Sequence, residues 1–138
     1  MLSIGEMARR TGVKVPTIRY YEQMGLIEEA ERSEGNQRRY TRRDLERLTF
    51  IRHARDLGFE IDMIRELIAL NQHPEAPCEN ADRIAAVHLS GVREKIEKLK
   101  KLEHELERIV SHCDGGHRIE DCYVIRALSD HGLCDHEH

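Results

Sequence analysis

The chain has 138 residues and a formal net charge of −4, with 22 Lys/Arg against 26 Asp/Glu. Charged residues make up 35% and aromatics 4%, with no Trp, which excludes a large aromatic-lined cavity. No stretch approaches the roughly 20 apolar residues that span a bilayer, and Met1–Glu6 lacks the pattern of a signal peptide, so a cytoplasmic protein with no membrane partner is expected. The charge is unevenly spread: residues 1–58 carry 12 Lys/Arg against 9 Asp/Glu, and residues 59–138 carry 10 against 17. If either half meets a polyanion, it is the first.

In chain order, Ile4, Met7 and Ala8 repeat at helical spacing behind Ser3 as N-cap, which predicts a short helix over 4–11 ended by Gly12. A tight turn leads to Pro16 and a second helix, Thr17 to Met24, stopped by Gly25. Two short helices so joined make a helix-turn-helix, whose second helix is the candidate reader of a DNA major groove. Gly35-Asn36 is a turn signal between Leu26-Ile27 and Arg39-Tyr40, predicting a small hairpin or wing. Thr41 caps a third helix, Arg42 to Leu57, with Leu45, Leu48, Ile51 and Ala54 inward. A fourth helix runs from Ile61 to Leu70, burying Ile64, Leu67 and Ile68, and stops before Pro74 and Pro77.

After Cys78 a long helix is predicted, from about Asn80 to Val110. Its apolar residues step by fours and threes: Ala85, Leu89, Val92, Ile96, Leu99, then a lapse at Glu103 that Leu102 can cover, then Leu106 and Val110. A seam of period 3.5 on a helix of about 45 Å argues for a parallel or antiparallel coiled coil, hence a homodimer. A loop with Gly115-Gly116 follows, then a turn or two of helix over 123–128 and a tail without packing pattern. The domains expected are 1–75 for DNA, 76–112 for dimerisation, and 113–138 as a metal-binding loop, short helix and tail.

All four cysteines, Cys78, Cys113, Cys122 and Cys134, lie in the second half with eight of the nine histidines. In a cytoplasmic chain this points to metal or redox chemistry before disulfides. Neither a nucleophile–base pair nor a Gly-rich phosphate loop is visible, so an enzyme is not expected.

Ile4-Gly5-Glu6, Thr17-Ile18-Arg19-Tyr20-Tyr21-Glu22, Gly25-Leu26-Ile27, Arg38-Arg39-Tyr40 and the run Phe50 to Phe59 together resemble the MerR family of transcriptional regulators. The likeness extends from Leu2 to about Leu128. It implies a mainly α fold: a winged helix-turn-helix domain, a long antiparallel coiled-coil dimerisation helix and effector ligands at the helix ends. It also implies binding to a palindrome in double-stranded promoter DNA, and distortion of that DNA so that RNA polymerase can use it.

Each expected DNA contact has its own chemistry. Arg19, Arg38 and Arg39 present paired N–H donors to phosphates. Tyr20 and Tyr40 can each donate one hydroxyl hydrogen bond to a phosphate while their rings pack against the domain. Lys14 and Thr17, at the entrance of the second helix, are placed for base edges.

Cys78 and Cys113 sit at opposite ends of the long helix, about 50 Å apart at 1.5 Å per residue, and cannot share an ion within one chain. In an antiparallel dimer, Cys78 of one protomer meets Cys113 and Cys122 of its partner. Three thiolates suit a divalent soft or borderline ion, with Zn the first expectation and Cd, Pb or Hg the others. The resemblance is to the divalent-sensing branch, where a cysteine heads the dimerisation helix; the copper-sensing branch has a small non-ligand residue there.

His112, Asp114, His117 and Glu120 are further donors near the loop, and His117 matches a loop histidine ligand of the zinc sensors. Those sensors have adjacent cysteines where this chain has His112-Cys113 or Cys113-Asp114, while the spacing 78, 113, 122 equally resembles that of the lead and mercury sensors. Cys134, His136 and His138 form a tail without a packing pattern. The rival expectation is a thiol-based redox-sensing regulator of the same fold. Iron–sulfur members cluster four cysteines after the helix, and drug-binding members add an effector domain; with only Cys113 and Cys122 near each other and about 25 residues after Cys113, neither kind is expected here.

Overall fold

The computed structural model describes residues 1–32, 34, 35, 38–112, 115, 116 and 118–130, Arg38 by its backbone alone. In chain order the elements are α1 (Ile4–Thr11), α2 (Val15–Gln23), β1 (Glu31–Arg32), β2 (Arg38–Arg39), α3 (Arg42–Asp56), α4 (Ile61–Asn71), α5 (Glu79–Ser111), a 3-10 turn (Ile119–Asp121) and α6 (Tyr123–Ser129). The architecture is mainly α, as expected. The 3-10 turn carries no helical periodicity in the sequence and was not expected.

Local chemistry accounts for the helix ends. Ser3 Oγ accepts the amide of Glu6 at 3.2 Å, capping α1. At the other end Gly12 adopts φ 75° and its amide donates to the Ala8 carbonyl at 2.8 Å. Pro16 occupies the first turn of α2, where a missing N–H costs nothing. A reciprocal capping box opens α3: the Asp44 amide donates to Thr41 Oγ1 at 3.1 Å, and the Thr41 amide to Asp44 Oδ2 at 2.8 Å.

Two compact units divide the chain, residues 1–84 and the residues from 85 onward. The first closes around Met7, Ile18, Leu26, Ile27, Tyr40, Leu48, Ile51 and Ile64, each no more than 2% exposed. It also takes in the start of α5, because Ala81 lines an apolar pocket with Phe50, Leu67, Leu70 and Pro77. That carries the first unit past the division expected near residue 75.

The wing differs from its expected pairing. β1 and β2 are antiparallel, with Glu31 opposite Arg39 and Arg32 opposite Arg38, and the backbone of Tyr40 pairs with that of Leu2, amide to carbonyl in both directions at 2.8 Å. Leu26 and Ile27, expected as the first strand, are instead core residues, since burying two large aliphatic side chains outweighs two ladder bonds at a solvent-exposed edge.

In the second unit α5 presents two different faces. Glu105 and Ile109 are buried, as is Ala127 of α6. Leu89, Ile96, Leu99, Leu106 and Val110 are exposed, Leu99 by 63%, and they include most of the apolar seam foreseen from the 3.5-residue spacing. Leu102 lines a shallow groove with Leu99, Leu106 and Val110, beside the lapse at Glu103.

Candidate nucleic-acid interface and metal centre

The turn between α1 and α2 sets the pose of the second helix, and a long-range bond fixes it. The Arg52 guanidinium, on α3, donates through Nη1 to the Thr11 carbonyl at the end of α1. Thr11 Oγ1 donates to the Met7 carbonyl at 2.8 Å and accepts the Val13 amide at 3.2 Å, so this buried threonine closes the turn from within. A Cβ on Gly12 would collide with the Arg52 guanidinium, so glycine answers to the close approach as well as to the backbone angle. The sequence reading gave Arg52 no such part; its partner lies 41 residues away.

With Ile18 and Tyr21 buried, α2 turns its other side outward. Lys14 is exposed at the N-cap, Thr17 is half-buried, and Arg19 and Tyr20 are exposed, Tyr20 by 49%. Each of the four carries a hydrogen-bond donor of a kind suited to phosphates or base edges. On the wing Arg39 is half-buried and lines one cleft with Arg43 and Arg47, where Glu28, Glu29 and Asp44 offset the positive charge. The Arg38 side chain lies outside the described residues. The Tyr40 ring is buried in the domain as expected, but its hydroxyl donates to Glu22 Oε1 in place of a phosphate, tying the end of the wing to α2. A tyrosine satisfies either role, and only the tertiary fold decides between them.

Of the expected metal ligands, Cys78 and Cys122 are described, and neither is in a disulfide. Cys78 is exposed and its carbonyl accepts the Asp82 amide at 2.9 Å, the first helical bond of α5. Cys122 is half-buried at the N-cap of α6; its amide donates to the Ile119 carbonyl at 3.1 Å and its carbonyl accepts the Arg126 amide at 3.0 Å. Cys113, Asp114 and His117, with the tail that holds Cys134, His136 and His138, lie outside the described residues. Among the described residues no three His, Cys, Asp or Glu converge. The thiols nonetheless fit a soft or borderline ion by their chemistry: two reduced sulfurs, each held at a helix start by backbone bonds.

The end of α5 is built around a charged network that the spacing of the cysteines did not reveal. Arg108 donates to buried Glu105 through Nη2 and to the Tyr123 hydroxyl through Nη1 at 2.6 Å. Tyr123 in turn stacks on the His112 ring, with centroids 4.5 Å apart and 20° between planes. The Glu105–Arg108 spacing of three residues was the one available signal, and it is common on any exposed helix.

The signature described as MerR HTH family regulatory protein matches residues 2–70, and that described as MerR, DNA binding matches residues 45–109. The chain belongs to the MerR family. Among MerR-family relatives, the HTH-type transcriptional regulator ZntR of Escherichia coli strain K12 is 40% identical over 130 residues, covering 93% of this chain and 92% of its own. The crystal structure of the transcription regulator PbrR691 from Ralstonia metallidurans CH34 in complex with lead(II) superposes with a TM-score of 0.79 at 37% identity, covering 93% of this chain and 99% of that one. The structure of the dual-function regulator MerR from Bacillus megaterium MB1 with mercury(II) gives 0.69 at 30% identity, covering 94% and 100%. The MerR-type helix-turn-helix expected from the sequence is thereby shown, and no helix among the described residues is long and apolar enough to cross a membrane.

Proposed function

We propose that this MerR-family protein is a cytoplasmic, homodimeric transcription activator that responds to a divalent soft or borderline metal ion, zinc first among them. The observation that carries the reading is the pair of reduced thiols bracketing α5, Cys78 before it and Cys122 after it, on a chain whose first unit is a helix-turn-helix. Relatives named for metals, one bound to lead and one to mercury, support it. Lys14 and Thr17 would meet base edges, and Arg19, Tyr20, Arg38 and Arg39 the phosphates, of a palindromic promoter operator.

The exposed seam of α5 supports an antiparallel dimer. That pairing sets the Cys78 end of one helix beside the Cys113 and Cys122 end of its partner. Cys78, Cys113 and Cys122 are the proposed ligands, with His117 the imidazole that the family resemblance offers. The ion would supply a cross-link between protomers. The residues that bear it join the start of one α5 to the loop of the other, so their closure shifts the pose of the two DNA-binding units. Such a shift needs only a higher ion affinity in the activating state, not tighter operator binding, and the distorted promoter is then open to RNA polymerase. A metal titration of the reduced protein, read by promoter transcription in vitro, tests the whole reading. Activation by zinc, cadmium, lead or mercury under reducing conditions supports it. Activation by an oxidant alone, with metals silent, would establish the redox sensor instead.

A further inference from the structure

The seam that runs along α5 from Ala85 to Val110 is apolar at every step of three or four except one, where Glu103 stands. Glu103 is exposed and, with Glu107 one turn on, lines the shallow groove of Leu99, Leu102, Leu106 and Val110. Lys100, one turn before it, is engaged with Glu97 at 3.5 Å. A carboxylate on a seam that closes against a second helix needs a cation from that helix, because an unpaired charge is costly once water is excluded.

In an antiparallel pair of α5 helices the whole seam overlaps in one register. Ala85 then lies opposite the partner's Val110, Leu89 opposite the partner's Leu106, Ile96 opposite the partner's Leu99, and Glu103 opposite the partner's Val92. No seam residue is left without an opposite number, and a shift of one heptad leaves some over. Next to the partner's Val92 comes the partner's Arg93, on the flank where Glu107 stands, so one guanidinium can meet two carboxylates a turn apart. A parallel pair in register instead sets Glu103 against the partner's Glu103, two like charges in one layer. We infer that Glu103 is the pairing-specificity residue of α5: with Glu107 it binds the partner's Arg93, and so selects a second copy of this chain, antiparallel and in one register. The inference rests on the homodimeric reading above and deepens it by naming the charges that choose the partner. A polar residue at one core position lowers stability but excludes other pairings, so a helix with the same apolar seam and no cation at that place is rejected.

Arg93 and Glu103 stand about 15 Å apart along one helix, so they cannot touch within a chain and any coupling between them crosses the interface. The test uses the full-length reduced protein in a dilution series followed by analytical ultracentrifugation. Glu103→Arg and Arg93→Glu each put like charges at both symmetric copies of the contact. Each is expected to raise the dimer dissociation constant by about tenfold or more, with helicity kept because both side chains are exposed in the single chain. The double variant Arg93→Glu/Glu103→Arg restores opposite charges and should return to within about threefold of the unaltered protein. Mixed in equal amounts, the two single variants should form the heterodimer in preference to either homodimer. Losses that add in the double variant, single reversals that leave association unchanged, or statistical mixing of the two variants would each overturn the inference while leaving a dimer in place. An unaltered protein that stays monomeric through the whole series refutes the homodimeric reading itself, and the inference falls with it.

Discussion

Replacing Gly12 by Ala separates two costs that the structure places on one residue. The backbone there sits at φ 75°, and a Cβ in that left-handed region costs about 1–2 kcal/mol. The same Cβ displaces the Arg52 guanidinium from the Thr11 carbonyl. A hydrogen bond from a charged donor is worth about 1.5–3 kcal/mol, and the lower end applies here because the Arg52 side chain is 45% exposed. Gly12→Ala should therefore destabilise the helix-turn-helix unit by about 3 kcal/mol, and Arg52→Ala by about 1.5 kcal/mol. The double variant should cost about the same as Gly12→Ala alone, because the bond can be lost only once. Urea unfolding at a fixed protein concentration, followed by a probe on α2, measures all three. A neutral Gly12→Ala, or full additivity in the double variant, would refute the account of the turn.

Arg19→Ala, on the outer face of α2, should reduce the slope of log affinity against log salt for the operator by about one unit, measured by fluorescence anisotropy over a salt series. Salt-independent operator binding by the unaltered protein would remove the phosphate-contact role altogether. Leu99→Lys puts an ammonium into the middle of the exposed α5 seam; an uncompensated buried charge costs about 3–5 kcal/mol, so dimerisation should weaken by at least about a hundredfold. Light scattering at low protein concentration would show the loss, and an unchanged mass there would count against the coiled coil.

The helices were legible because each carries both a period and a stop signal. Ser3, Gly12, Pro16, Gly25 and Thr41 bound α1 to α3, and the structure places their ends within a residue or two of expectation. What the sequence could not convey depends on contacts far apart along the chain. Arg52 looks like any helix-surface arginine until the fold brings Thr11 to it. Leu26 and Ile27 have the composition of a strand, yet the core claims them. Tyr40 resembles a phosphate donor until its hydroxyl is seen donating to Glu22. In the candidate metal centre the same division holds: thiol spacing is a local signal, whereas the orientation of His112 depends on Tyr123, eleven residues on. An acid such as Glu105, buried in the structure, is indistinguishable in sequence from its exposed neighbour Glu107.

The shared metal site makes a prediction that a site within one chain cannot imitate. Consider heterodimers of a Cys78→Ser protomer with a Cys113→Ser/Cys122→Ser protomer, purified through distinct tags. If Cys78 works across the dimer, one end joins the second protomer's intact Cys78 to the first protomer's intact Cys113 and Cys122, and the other end has no thiol left. If all three worked within a chain, both ends would be broken, since each protomer lacks at least one ligand. Structural zinc in thiolate sites is bound with apparent free energies of about 10 kcal/mol or more, so an intact end remains occupied under conditions that strip a broken one. The heterodimer should thus hold one tightly bound ion where the wild-type dimer holds two, and each homodimeric variant should hold none. Every variant should still bind operator, because none of the substituted thiols is among the proposed DNA-contacting residues Lys14, Thr17, Arg19 and Tyr20. Heterodimers that retain no tight site beside a wild type that retains two would refute the sharing of ligands between protomers.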